Sequence, residues 1–99
     1  MMFLYSLFFL FHLVNTLDTI QFTTNNIVLK GEVNSKMATD FIYNLNKKNN
    51  KSDIYVYLNT PGGSVQEGMK IVSEINKYGS VCIAEQAYSM GFAILQSCK

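Results

Sequence analysis

Two short segments of the sequence carry residues that could do chemistry together. The segment TPGGS at 60–64 is a glycine-rich turn, and AYSMG at 87–91 places Ser89 26 residues after Gly63. A serine hydroxyl can attack a carbonyl carbon, and backbone N–H groups can hold the negative oxygen that forms. Losing one such donor typically costs about 2.7–4 kcal/mol of transition-state stabilisation. The two segments together predict acyl transfer, with Ser89 as the nucleophile.

Each segment also has a simpler interpretation. Pro-Gly-Gly alone is most often a plain turn, and a serine at the start of a helix is most often an N-cap. The cap interpretation applies to Ser64 and, when it is taken alone, to Ser89. A phosphate-binding loop is a further alternative, but no lysine follows the glycines as such loops require.

The rest of the chain predicts the elements that would position these segments. Short apolar and β-branched runs indicate strands at 19–22, 27–29, 53–59 and 81–84. A first helix begins at Asn34 or Ser35, and its apolar face consists of Met37, Ala38, Phe41, Ile42 and Leu45.

Two further helices follow the two segments. Ser64 and Glu67 fit a capping box, and the helix that they open is predicted to end at Gly79. Its predicted buried face consists of Val65, Met69, Val72 and Ile75. After the fourth strand, residues 85–88 are predicted to turn, and 89–91 to open the last helix.

Strands that alternate with helices predict a mostly parallel sheet with right-handed crossovers, an α/β fold. In such sheets functional groups gather beyond the carboxyl ends of the strands. Both segments lie at those ends, so we expect them to meet in one region.

The composition limits the size of the protein and the classes of function. Ninety-nine residues allow one small domain, and 48% apolar residues predict a folded chain. Eight lysines, no arginine and seven acidic residues give a net charge of +1, which argues against nucleic-acid binding. The apolar leader at 1–17 is a candidate secretory signal or membrane anchor; a packed helix and a misassigned start are the alternatives. Residues 18–99 are the predicted domain.

The remaining reactive side chains indicate no second site. Cys82 and Cys98 are 16 residues apart with no histidine nearby, which argues against zinc. Since Cys82 lies in an apolar run, we expect two buried free thiols; a disulfide is the alternative if the leader is secretory. His12 lies in the leader and is not expected to act as a base. Neither a cofactor nor a metal is predicted.

Residues 26–99 resemble the front half of ClpP, the proteolytic subunit of Clp protease. The stretch IYVYLNTPGGSV at 54–65 is similar to the family's INSPGGSV motif, with Thr60 in place of serine. The stretch IAEQAYSMG at 83–91 resembles CxGQAASMGA. Two motifs in this order and at this spacing are much more specific than either one alone.

Shorter stretches agree with the same family. GMKI at 68–71 is similar to part of AGMAI, and LKGEVN at 29–34 resembles LGxxVN. The departures from the motifs are Glu67, Glu85 and Tyr88.

The resemblance implies a ClpP/crotonase-like fold of ββα units, incomplete at its C-terminus. It implies that Ser89 is the nucleophile, that the N–H groups of Gly63 and Met90 form the oxyanion hole, and that Gly62 sets the turn. By the same resemblance, the substrates are unfolded polypeptides, and the full-length form is a homo-oligomer of stacked rings fed by a AAA+ ATPase. The ATP belongs to that partner. The implied location is the cytoplasm, unless the leader is a genuine signal or anchor.

In this family the catalytic histidine follows the serine by about 25 residues, and an aspartate comes later. The sequence ends ten residues after Ser89. A serine without its base is a weak nucleophile. We therefore expect a truncated serine endopeptidase subunit that is close to inactive by itself.

Three alternatives remain from the sequence. The membrane-associated relatives of the signal peptide peptidase A and NfeD-linked type share the Thr-Pro-Gly-Gly turn and use a Ser–Lys pair, although Lys70 and Lys77 lie on the wrong helix for that role. A non-catalytic partner subunit would need no base. A crotonase acyl-CoA enzyme would share the oxyanion hole and would not need Ser89.

Overall fold

Strands and helices alternate along residues 25–99, the part of the chain that the computed structural model describes. The elements are β1 (Asn26–Lys30), α1 (Ser35–Asn46), β2 (Tyr55–Thr60), α2 (Val65–Tyr78), β3 (Val81–Ala87) and α3 (Met90–Gln96). The strands pair in parallel in the order β1-β2-β3. The predicted parallel α/β architecture is confirmed. The leader at 1–17 and the strand predicted at 19–22 lie outside the described residues.

Helix α1 contacts β1, α3 contacts β2 and β3, and α2 packs against both of these helices. Parallel pairing brings Ile27 beside Val56 and Leu29 beside Leu58, and all four side chains are buried under the helices. Phe41 and Leu45 of α1, Ile71 and Ile75 of α2, and Ile94 of α3 complete this core. No helix of residues 25–99 has the length and apolar character that crossing a membrane requires.

Helix α1 begins and packs as its sequence predicts. The Asn34 side chain accepts a hydrogen bond from the Met37 N–H at 2.9 Å, which caps the first turn. Met37, Ala38, Phe41 and Leu45 are buried, and Ile42 packs against the core while half-buried.

The predicted buried face of α2 is wrong in part. The buried residues are Gly68, Ile71 and Ile75, whereas Val65 and Met69 are exposed. The helix is rotated so that its glycine, rather than its largest side chains, faces α3. Gly79 ends the helix as predicted, with its N–H bonded to the Ile75 carbonyl at 2.7 Å.

Strand β3 runs three residues beyond its predicted end. The pairing shifts between Leu58 and Asn59, which lie opposite Ala84 and Gln86, so that Glu85 is an extra, bulged residue. The polar pair Glu85-Gln86 had indicated a turn. An edge strand with one solvent-facing side tolerates such residues, so the strand continues to Ala87.

The prediction of two free thiols is also wrong. Cys82 and Cys98 form a disulfide, with their Cα atoms 5.8 Å apart. Cys82 pairs with Val56, so it lies on the face of the sheet that the helices cover. Helix α3 runs back over this face, and Cys98 follows its last turn. The chain reversal between β3 and α3 therefore brings the two cysteines together, which their spacing alone could not show.

Candidate active site

The two segments meet at the carboxyl ends of β2 and β3, as predicted. The Gly62 backbone lies directly against the serine turn. A Cβ added to Gly62 would lie 2.7 Å from the Ser89 Cβ and 2.8 Å from the Tyr88 carbonyl oxygen. Gly62 also has a φ of +105°, which L side chains rarely adopt. This position therefore requires glycine for both space and backbone conformation.

The glycine turn is fixed by the residue that precedes α1. The buried Val33 donates its N–H to the Gly62 carbonyl at 2.9 Å and accepts the Ser64 N–H at 2.8 Å. A Cβ on Gly63 would collide with the Val33 backbone. Val33 belongs to the LKGEVN stretch of the sequence analysis, but that pattern did not indicate these contacts, because they are made by backbone groups.

Ser89 occupies a strained turn between β3 and α3. Its φ of 55° and ψ of −123° make it the one residue other than glycine with positive φ among residues 25–99. Such a conformation costs about 1–3 kcal/mol, and strain of this kind clusters at active sites. A serine on a sharp strand-to-helix turn presents its hydroxyl above the sheet edge, as a nucleophile requires.

Ser89 occupies the N-cap position of α3, but the alternative that its side chain caps the helix is wrong. Its side chain makes no capping hydrogen bond, whereas the Ser64 side chain accepts one from the Glu67 N–H at 3.1 Å. The predicted capping box at Ser64 forms only by half, because the Ser64 N–H is bonded to Val33. Among residues 25–99, the exposed Ser89 hydroxyl has no hydrogen-bond partner.

Two backbone donors lie in the segments that meet at Ser89. Neither the Gly63 N–H nor the Met90 N–H donates a hydrogen bond within the described part of the chain. Gly63 follows Gly62 in the turn that touches Ser89, and Met90 follows Ser89 at the first position of α3, where helical N–H groups have no intrahelical acceptor. Both N–H groups are therefore without an acceptor within residues 25–99.

The Met90 side chain is anchored away from the site. It is buried against α2, where a Cβ on Gly68 would collide with the Met90 side chain. Gly68 therefore lets α2 and α3 approach closely, which positions the start of α3. Hydrophobic periodicity could not reveal this function, because glycine carries no apolar side chain.

Outside the two turns, a pair of polar side chains joins β2 and β3. The Tyr57 hydroxyl donates a short hydrogen bond to the bulged Glu85 carboxylate. This bond raises the pKa of Tyr57 above its usual value, and the negative charge of Glu85 acts in the same direction.

The lysines considered for a Ser–Lys pair are bound elsewhere. The Lys70 ammonium lies 3.0 Å from the Glu67 carboxylate, and Lys77 lies 4.0 Å from Glu74. Both pairs lie within α2, and in each the lysine is exposed while the glutamate is half-buried. The sequence has one histidine, His12, which lies outside the described residues. Within residues 25–99, no group of three His, Cys, Asp or Glu side chains could hold a metal.

Comparison with known proteins identifies the family. The family profile described as Clp protease matches residues 13–99, most of the chain. The chain belongs to the Clp protease family. Relatives include the ATP-dependent Clp protease proteolytic subunits of Streptococcus agalactiae and Streptococcus salivarius, each 40% identical over 77 residues and matching 72% of this chain.

Solved structures agree with the family assignment. The ClpP protease catalytic domain from Plasmodium falciparum superimposes with a TM-score of 0.69 at 33% identity, covering 86% of this chain and 52% of that one. ClpP1 from Listeria monocytogenes has a TM-score of 0.69 at 22% identity and supports the ClpP fold. The chain spans 39% of the length of the curated Clp relatives.

Proposed function

We propose that this chain contributes the nucleophile and the oxyanion hole of a Clp-type serine endopeptidase. The observation that carries the proposal is the conformation of Ser89. It has a positive φ, its side chain makes no capping hydrogen bond, and it lies against the glycine turn. Membership of the Clp protease family supports the same chemistry.

In the proposed reaction, the Ser89 hydroxyl oxygen attacks the carbonyl carbon of a peptide bond. The hydroxyl proton passes to a general base, and the N–H groups of Gly63 and Met90 hold the oxyanion. The base then gives the proton to the departing amine, and water hydrolyses the acyl-enzyme. Gly62 keeps the turn close enough for both donors to reach one oxygen.

The general base is proposed to come from outside residues 25–99, because these residues contain no histidine and the two candidate lysines are paired with glutamates. A serine that lacks its base loses most of its reactivity, while the oxyanion hole preserves a small part. The 99-residue chain by itself is therefore expected to be nearly inactive.

The substrates and partners follow from the family alone. We propose unfolded polypeptides as substrates, homo-oligomeric rings as the assembled form, and a AAA+ ATPase as the partner that delivers the substrates. The names of the Streptococcus relatives, which describe an ATP-dependent protease subunit, support the ATPase. No cofactor is proposed for this chain.

Labelling with a fluorophosphonate tests the role of Ser89. The serine oxygen attacks phosphorus, fluoride leaves, and the proton needs an acceptor. We expect slow labelling of the purified chain at Ser89, and we expect added imidazole to accelerate it by acting as the missing base. Intact-mass and peptide mass spectrometry would give the rate and the site.

Two serine variants make the test specific. Ser89→Ala should abolish the imidazole-dependent labelling, whereas Ser97→Ala should not change it, because the Ser97 hydroxyl is bonded to the Ile94 carbonyl at the other end of α3. Label spread over several serines and unaffected by Ser89→Ala would refute the nucleophile. Fast labelling without imidazole would refute the expectation that the 99-residue chain by itself lacks an effective base.

A further inference from the structure

We propose that Thr60 is a positioning residue that selects which amide of the glycine turn faces the substrate and locks that turn to the Ser89 turn. This inference rests on the proposed function of Ser89. The sequence had shown Thr60 only as a departure from a serine in the family motif.

The Thr60 hydroxyl oxygen accepts the Gly62 N–H at 3.0 Å, and Thr60 is fully buried. This bond removes the Gly62 N–H from the set of possible oxyanion donors. The Gly62 carbonyl and the Ser64 N–H are bonded to Val33. The Gly63 N–H is then the one donor of this turn without a partner among the described residues.

The same residue holds the serine turn through two other atoms. The Thr60 carbonyl accepts the Tyr88 N–H at 3.1 Å, next to Ser89. The Thr60 methyl group lies against α3, because a Cβ added to Gly91 would be 2.7 Å from the Thr60 Cγ2. The hydroxyl therefore orients one turn, while the carbonyl and methyl group place the other.

Because the hydroxyl and the methyl group contact different turns, two substitutions can separate their effects. Thr60→Val keeps the shape of the side chain but leaves the buried Gly62 N–H without an acceptor. Thr60→Ser keeps the acceptor and removes the methyl group. A buried donor without a partner is the costlier change.

The test is the rate of imidazole-assisted fluorophosphonate labelling of Ser89 in the 99-residue chain. Thr60→Val is expected to lower the rate about fivefold to 100-fold, whereas Thr60→Ser should stay within about threefold of the parent. Circular dichroism would confirm that each variant is folded at the temperature of labelling.

Amide hydrogen exchange in the unmodified chain gives a second measurement, which does not depend on the folding of any variant. The Gly62 amide should exchange more slowly than the Gly63 amide, because one is bonded to a buried hydroxyl and the other has no partner among residues 25–99. The reverse order would overturn the proposal.

The outcomes separate this proposal from the proposed function. If the parent chain shows no labelling at Ser89, the proposed function is overturned, together with the inference that rests on it. If the parent is labelled at Ser89 and folded Thr60→Val is labelled equally fast, the nucleophile stands and the positioning role of Thr60 is overturned. Equal losses in Thr60→Val and Thr60→Ser would overturn the role of the hydroxyl in orienting the glycine turn, since the loss would then not follow the hydroxyl.

Discussion

Contact between Gly62 and Ser89 joins the two turns of the site, and it depends on the absence of a side chain at Gly62. Both residues have positive φ, and each turn leaves space that the other fills. The hydrogen bonds that Val33 and Thr60 make with the two turns offset the conformational strain of this geometry. A substitution at Gly62 should therefore disturb the chemistry as well as the stability.

Gly31 provides a matched control for this effect. Its φ of +96° is close to that of Gly62, but a Cβ at Gly31 would meet no atom within 4 Å. Gly31→Ala should cost about 1–2 kcal/mol from backbone conformation alone. Gly62→Ala should cost about 1–3 kcal/mol more, from overlap with Ser89 and Tyr88, and should slow Ser89 labelling.

Urea denaturation and the labelling rate would measure both effects. Equal destabilisation by the two alanine substitutions, with labelling unchanged in Gly62→Ala, would contradict the contact between the turns.

The sequence could indicate which residues form the two turns, but not their conformations. Ser89 and the glycines are recognisable by type and spacing. The positive φ of Ser89 depends on tertiary contacts that hold it there, and a serine before a helix equally fits a cap. Val33 contributes only backbone groups, so no property of its side chain indicated its contacts with the turn.

At the scale of elements, the rotation of α2 is the main difference from the sequence prediction. The sequence predicted one face of Val65, Met69, Val72 and Ile75. Ile75 is buried and Val72 packs against the core, but Val65 and Met69 are exposed, and the contact with α3 is made through Gly68. Close helix packing selects a small residue, and hydrophobic spacing does not detect small residues. The helix itself, its cap at Ser64 and its end at Gly79 were predicted correctly.

Two alanine substitutions on α2 distinguish the observed face from the predicted one. Ile71 is fully buried, so Ile71→Ala should lower the free energy of unfolding by about 2–5 kcal/mol. Met69 is 52% exposed, so Met69→Ala should change it by about 0.5 kcal/mol or less. Chemical denaturation would measure both, and a larger loss at Met69 would contradict this orientation of α2.

At the scale of the whole molecule, one covalent bond ties the end of α3 to the beginning of β3. The Cys82–Cys98 disulfide closes a loop with a sequence separation of 16, which should stabilise the folded state by about 3 kcal/mol. The sequence could not predict this pairing, because it depends on the direction in which α3 crosses the sheet.

The double variant Cys82→Ser/Cys98→Ser tests this contribution. The parent should lose about 3 kcal/mol of stability when dithiothreitol is added, and the variant should have this lower stability with or without the reductant. Denaturation curves under both conditions would show the difference. A parent whose curve does not move on reduction, after thiol titration confirms that the bond is broken, would argue against a stabilising role.

The disulfide has another consequence, because Ser89 lies inside the loop that it closes. If a single peptide bond anywhere between Cys82 and Cys98 is hydrolysed, the two pieces remain one molecule, heavier by one water. They separate only when the sulfur bridge is reduced. Hydrolysis of a peptide bond beside Ser89 would therefore leave one band on a non-reducing gel. Two polypeptides would be visible only after reduction.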